Sequence, residues 1–521
     1  MMCPMKDHAP CRGAAFLLAG LMLLGGDSGT GLRAASAQTT TDRMAVFDMD
    51  GKQIIQDEVH LGIVNGKLAA GINYRDVAGV GGLWSPPYVS SNFLLDGRVN
   101  GEKVPTTKWT WRPFQVEREG NRGPVAVSST TTMIYGHRAA VVSFTFKNSG
   151  RTAVPVEFLT LGWLDSVRDW GFARPASSTE TTLQADGRRL TLRQGQVAIV
   201  LAIDSDEWKW ETSGNLGHAV ASLPAKQSRS VNVIIAIGSG DKAAASVNQV
   251  LADPAGAIAA AGREYARQVG EVFEKLPSLE SDNAQLVRWY HRSLVHFLMN
   301  RWEVPEFALQ PYYSTGSVNG GCVANYLWNF GEAWEIFPLF DAPAARTHIK
   351  QFLKGDLLKH FYFSPITGTA GGTWYMINQE KIIERLYQAG QPRLAADILG
   401  RLLWWSDTMP YWGDSIAANC KDYRRDTPLQ CTFDGVAAAQ CVIFGVFGVS
   451  VQPDGDIVIQ PSRLPFARQL ALNGLKIRGR SLDIRIDERH CEVRSGGRTI
   501  RASTGGSVVV STKDGALRLA N

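Results

Sequence analysis

Residues 328–340 read WNFGEAWEIFPLF, and the chemistry of this stretch organises the reading of the whole chain. Its apolar residues recur at helical spacing, which predicts a helix over 323–340 and sets Glu332 and Glu335 one turn apart among large aromatics. A pyranose offers hydroxyls at its rim and C–H groups on its faces, so a carboxylate beside a flat ring suits a sugar. The same residues also suit plain packing, with the aromatics in a core and the glutamates in water. The rest of the chain has to choose between the two.

Working outward, the downstream segments 344–361, 377–389, 392–405 and 434–446 read as further helices, with Gly390 as a stop and Pro392 as a start. Upstream, Ser281 or Asp282 caps a helix whose Leu286, Trp289, Tyr290, Leu294, Phe297 and Leu298 form an apolar stripe. Before that, an Ala-rich run predicts a pair of linking helices. Residues 44–238 alternate or run apolar between Gly, Asn, Ser and Asp, as in VAVSSTTTMIYG and SVNVIIAIGSG, which predicts an antiparallel sandwich. The pairs Trp109/Trp111 and Trp208/Trp210 each project from one face of a strand, where packing explains them better than ligand stacking. The end of the chain returns to strands. The predicted organisation is multidomain α+β: a signal at 1–37, a β-sandwich at 38–240, a helical linker at 241–280, a helical-hairpin domain at 281–450 and a small C-terminal β domain at 451–521.

Composition narrows the function. The chain has 521 residues and 45% apolar content, enough for several cores. Its formal charge of +5 is not gathered into Lys/Arg blocks, which argues against nucleic acid as a partner. Lys6 and Arg12 precede the apolar run 14–24, and Ala35-Ser36-Ala37 offers a cleavage site, so a secretory signal and a mature start near Gln38 are expected, with delivery to the periplasm or beyond. No later segment reaches the roughly 20 apolar residues of a membrane span. Cys3 and Cys11 leave with the signal. The odd set of Cys322, Cys420, Cys431, Cys441 and Cys491 matches no zinc spacing, and spacing alone leaves open whether Cys420 and Cys431 close a loop. The histidines follow no H-E-x-x-H pattern, and there is no G-x-S-x-G elbow or P-loop. Neither a metal nor a cofactor is expected.

Three segments, in order, resemble the six-hairpin glycosidases, a superfamily that includes trehalases, processing glucosidases and disaccharide phosphorylases: YLWNFGEAWEIFPLFDAPAARTHIKQFL, GGTWYMINQEKIIERLYQAGQPRLAADILGRLL and FGVSVQPDGDIVIQPSRLP. The resemblance implies a catalytic (α/α)6 barrel for the helical domain and a carbohydrate substrate. About six helices are counted between 281 and 450, against twelve in a full barrel, so the barrel reads as incomplete. The family's two-carboxylate, commonly inverting mechanism holds an acid and a base about 6.5 to 9.5 Å apart. Asp414, in MPYWGDS, is similar in position to the family's aromatic-then-acid motif and is the implied base, although the family more often has Glu there. Glu332 and Glu335 are implied for substrate hydrogen bonding, with acid catalysis as the alternative. Trp328, Trp334, Trp374, Tyr375 and Trp412 are candidate stacking platforms, and Arg425, in a cluster with Asp422, Arg424 and Asp426, a candidate for holding hydroxyls. Two functions follow: an exported glycoside hydrolase, or a noncatalytic carbohydrate-binding protein derived from one by loss of part of the barrel.

Overall fold

The structure is a computed structural model of the full chain and describes residues 49–50, 61–73, 75–77, 79–162, 181–315, 325–326, 330, 332–352, 354, 362–371, 383–384, 386–387, 390–403, 433–503 and 505–520. Two large antiparallel sheets come first. The nine-stranded sheet runs, in spatial order, Met49–Asp50, Thr106–Arg112, Gln115–Arg122, Val125–Ile134, Ala139–Asn148, Ser228–Ser239, Val197–Ile203, Arg189–Gln194 and Thr182–Asp186. The second has eight strands, with Val154–Leu161 and Tyr88–Val99 at its centre. Period-2 alternation is visible in Gln115–Arg122 and Leu216–Leu223, where buried and outward residues take turns.

The inner faces meet as a sandwich core. Phe144 of one sheet lies 5.0 Å from Phe158 of the other, ring to ring, and Phe158 stacks on Trp208 at 4.5 Å. Gly97, on Tyr88–Val99, is required by this approach, since a Cβ there would come within 2.6 Å of the Phe144 ring. Trp109, Trp111, Trp208 and Trp210 are all buried, so the sandwich tryptophans are packing residues. Arg118 is an unusual member of this core. It is 1% exposed and donates to Asn73 O, Gly79 O and Thr131 Oγ1 at 2.7, 2.9 and 2.9 Å, and burial lowers its pKa to about 9 against the opposing pull of Asp96 and Asp76.

Helices α1 (Gly240–Ala252) and α2 (Pro254–Lys275) follow, divided at Asp253, whose carboxylate accepts from Gly256 N at 2.9 Å while Pro254 opens the second helix. Residues Ser278–Ser281, within and beside the segment read as a helical linker, form a strand that pairs with Leu470–Ile477 in the C-terminal five-stranded sheet. Helix α3 (Ala284–Asn300) is capped by Asn283, which accepts from Leu286 N at 2.9 Å. From Trp289 onward every residue of α3 is buried, which makes it a core helix rather than an amphipathic one.

Helix α4 (Phe337–Phe352) kinks at Asp341, where the backbone leaves the helical region and the carboxylate accepts from Ala344 N at 3.0 Å. The aspartate of FDAPAAR thus starts a second helix. Helix α5 (Pro392–Leu402) follows Gly390, which has φ +71°. Helix α6 (Ala437–Gln440) runs into a π-helical stretch, Cys441–Val446. The 3-10 turn before α6, Phe433–Val436, presses on α3 at Gly435, where a Cβ would come within 2.0 Å of the His296 ring, and Ser293 bonds both Gly435 O (2.6 Å) and Ala439 N (2.9 Å). A four-stranded sheet, Val449–Val451, Ile457–Ile459, Val508–Val510 and Leu517–Leu519, accompanies the five-stranded one at the end of the chain.

The described residues pack as one unit. The sandwich is tied to the helical part by Arg138, which bonds Ser85 O (3.0 Å), Pro86 O (2.9 Å) and the Glu306 carboxylate and lies 4.9 Å from the centre of the Tyr88 ring. The observed architecture is a β-sandwich plus a helical domain, with further sheets at the C-terminus. No helix among the described residues is long and apolar enough to cross a membrane. Cys441 and Cys491 are buried thiols, and burial pushes Cys491 up to about 12; Cys322, Cys420 and Cys431 lie outside the described residues.

Candidate functional site

The helix expected over 323–340 is not continuous. Asn325–Tyr326 is instead a strand paired with Tyr362–Phe363, and that second strand lies just past the expected 344–361 helix, whose described part ends at Phe352. Side chains explain the first change: Asn325 Nδ2 donates to Tyr313 O, and Thr315 Oγ1 accepts from Tyr326 N, each at 2.5 Å. Residues 333–336 then form turns rather than regular helix before α4 begins. The reason lies in α6. Gln440 Oε1 accepts the N–H groups of Glu335 (3.2 Å) and Ile336 (3.3 Å), donors that a continuous helix would direct to carbonyls four residues back.

Gln440 is itself fully buried, and its Nε2 donates to Glu384 Oε2 at 3.0 Å. Glu384 is 1% exposed. One carboxamide therefore joins the Glu332–Glu335 turn to a buried carboxylate some fifty residues further along the chain. Neither Gln440 nor Glu384 stands out by motif. Gln440 is a lone polar residue in an apolar run, VAAAQCVIF, and that is the signal that could have found it; Glu384, next to Arg385 in KIIERL, carries no such signal.

Above this bond the turn presents Trp334, which is 39% exposed. Of the described tryptophans it alone is exposed. Its ring rests against Phe330 at 5.4 Å, and Phe330 stacks on the His348 ring at 5.9 Å with 11° between the planes. Glu332 and Glu335, on either side of Trp334, are half-buried. A broad aromatic layer lies beneath, in which Phe297 stacks on Phe340 at 4.5 Å and Tyr313 meets Phe337 edge to face at 4.8 Å.

His348 holds this layer together. Its Nδ1–H donates to Ala344 O at 2.8 Å, which leaves Nε2 to accept from Tyr313 N at 3.0 Å. Burial lowers its pKa to about 4, so the ring is neutral at ordinary pH. Tyr313 in turn donates its hydroxyl to Asp341 Oδ2 at 3.0 Å, and burial, more than the aspartate, raises the phenol well above its usual range.

The structure thus brings together Glu332, Trp334 and Glu335 of the sequence-derived candidates. Asp414, Trp328, Trp374, Tyr375, Trp412 and Arg425 lie outside the described residues, as do Asp422, Arg424 and Asp426. Among the described residues no group of His, Cys, Asp and Glu has the arrangement of a metal site. The described part of the site offers an exposed indole face flanked by two carboxylates on a turn whose backbone is pinned from below. That arrangement suits binding of a ligand with an apolar face and hydroxyls at its edge.

No protein-family model matches this chain, and no curated protein matches it. Solved structures do. "Putative kojibiose phosphorylase from human microbiome" aligns over 90% of this chain and 97% of its own, with a TM-score of 0.51 and 7% sequence identity. A bacterial glucoamylase in complex with acarbose aligns over 67% of this chain and 59% of its own at a TM-score of 0.41 and 10% identity. An inverting mannosidase from Bacteroides thetaiotaomicron aligns over 70% and 55%, at 0.38 and 11%. At these identities it is the fold that is shared, and the first alignment spans sandwich, helices and C-terminal sheets together. The chain therefore shares the fold of this phosphorylase-named structure, a β-sandwich plus a helical domain.

Proposed function

We propose that this protein is an exported glycoside hydrolase that cleaves an oligosaccharide or glycoside by a two-carboxylate, inverting mechanism. The observation that carries this reading is the exposed Trp334 between Glu332 and Glu335 in a fold shared with a phosphorylase-named structure. An exposed indole face beside Phe330 is useful as a stacking platform. In this scheme Trp334 stacks on a sugar face, Glu335 and Glu332 take hydroxyl hydrogens or one of them serves as the acid, and Asp414 activates the water. Trp328, Trp374, Tyr375, Trp412 and Arg425 complete the sugar site. An inverting pair needs room for that water, about 6.5 to 9.5 Å between carboxyls.

The test is hydrolysis of a panel of aryl glycosides by the purified protein and by Asp414→Asn. Loss of about a thousandfold or more in kcat with KM little changed supports Asp414 as base. Undiminished turnover by Asp414→Asn rejects that role. Binding of saccharides with no turnover of any glycoside would favour the noncatalytic carbohydrate-binding alternative.

A further inference from the structure

A second cleft, of about 600 Å3, opens where the sandwich meets α1 and α2, and none of its lining residues belongs to the Trp334 turn. Its size falls in the range of small-molecule sites, and a junction between domains is a common place for one. One wall is the turn around Tyr135 and His137. The opposite wall is helical and includes Gln249, Ala257 and Ala260.

Most of the charged groups in this cleft have partners. Arg301 pairs with Glu303 at 3.0 Å and with Glu271 at 3.8 Å. Lys67 donates to Gly136 O at 3.0 Å. Glu264 accepts two bonds from Arg267 and one from Gln268, and Asp253 caps α2. The neutral groups with unused hydrogen-bonding capacity are the Tyr135 hydroxyl, the His137 imidazole and the Gln249 carboxamide, which make no side-chain hydrogen bond to any described residue; Arg301 Nε is a further buried donor without a described partner. Burial, with Lys67 adding to it, lowers the His137 pKa and favours the uncharged ring.

The wall that carries Tyr135 and His137 is also rigid. Asn65 donates to Ile134 O at 2.7 Å and to His137 O at 2.9 Å, and its Oδ1 accepts from Lys67 N and Leu68 N, so the turn is clamped without any ligand. A phenol, an imidazole and an amide beside an alanine-lined wall match a ligand that has no charge, many hydroxyls and apolar C–H faces. An acidic ligand would face the carboxylates of Asp253, Glu264 and Glu303 in the same lining. We infer that this cleft is a separate binding site for a neutral saccharide, held through Tyr135, His137 and Gln249.

The experiment uses the full chain carrying Trp334→Ala, which removes the platform of the proposed hydrolytic site. Calorimetric titration with maltose, cellobiose, mannobiose and lactose measures what remains. Binding of at least one of them, weakened about tenfold by adding Tyr135→Phe and Gln249→Ala, is the expected result. Both substitutions touch groups without described partners, so the melting temperature should hold and report an intact fold. Absence of binding by all four sugars overturns the inference, as does an affinity that the two added substitutions leave unchanged. Neither result bears on turnover by the protein with Trp334 in place, so the two sites stand or fall separately.

Discussion

The Gln440 carboxamide donates to the Glu384 carboxylate at 3.0 Å, and that bond determines which way the amide faces. With Nε2 committed to Glu384, Oε1 points at the backbone donors of Glu335 and Ile336. A side chain in α6 thereby replaces part of a helical hydrogen-bond ladder and holds open the turn that displays Trp334.

Gln440→Leu removes an acceptor from two backbone N–H groups and a donor from a buried carboxylate. It should destabilise the protein by about 3 kcal/mol, since buried polar groups left without partners cost about 1–3 kcal/mol each. Urea unfolding followed by tryptophan fluorescence measures this. A loss below about 0.5 kcal/mol would show that the bond does not hold the turn.

Trp334→Ala should separate binding from stability. The ring is 39% exposed and packs on Phe330, so the change in unfolding free energy should be about 1–2 kcal/mol, below the about 3–5 kcal/mol of a core Trp→Ala. Saccharide affinity at the proposed hydrolytic site should nevertheless fall about tenfold, read as a raised KM on whichever aryl glycoside is turned over. A large loss of stability with KM unchanged would assign Trp334 to packing.

His348 sets a pH dependence. Its pKa is lowered to about 4 in the folded protein, whereas an unfolded histidine titrates near 6.5. Between those values the unfolded chain binds the extra proton, so stability falls as pH drops from about 6.5 and levels off near 4. The full effect is about 3 kcal/mol. Unfolding midpoints measured at pH 7, 5.5 and 4.5 should decline in that order, and His348→Gln should flatten the decline while lowering the value at pH 7.

Arg118→Met tests the sandwich core. The substitution preserves volume but leaves Asn73 O without its donor and takes a bond each from Thr131 Oγ1 and from Gly79 O, which keeps the Thr131 hydroxyl at 3.2 Å, and should cost about 2 kcal/mol. Equal stability of the variant, measured by chemical denaturation, would mean that desolvating the guanidinium had cancelled its three bonds.

Much of the fold was legible because it rests on local periodicity. Alternating or apolar runs in VAVSSTTTMIYG and SVNVIIAIGSG marked the strands Val125–Ile134 and Ser228–Ser239, the punctuation at Gly390 and Pro392 marked the start of α5, and a helical stripe at Leu286, Trp289 and Tyr290 marked α3. Periodicity misled where a distant residue intervened. Residues 325–326 pair with 362–363, and residues 335–336 give their N–H groups to Gln440, so a pattern that suits one long helix folds as strand, turn and helix. The site was legible in part for the same reason. Glu332, Trp334 and Glu335 are neighbours in sequence, whereas Glu384, Gln440 and His348 join them only through folding.

The amino-acid sequence by itself determined the sandwich, the helical segment that follows it and the clustering of carboxylates with aromatics, because each depends on spacing within a few residues. Only the tertiary structure decided that Trp334 stays in solvent while the other described tryptophans are buried, and that the turn beneath it is pinned by Gln440. A ring's exposure and a backbone donor's partner are set by what packs against them. Here those neighbours come from α4 and α6, and no window around residue 334 contains the latter.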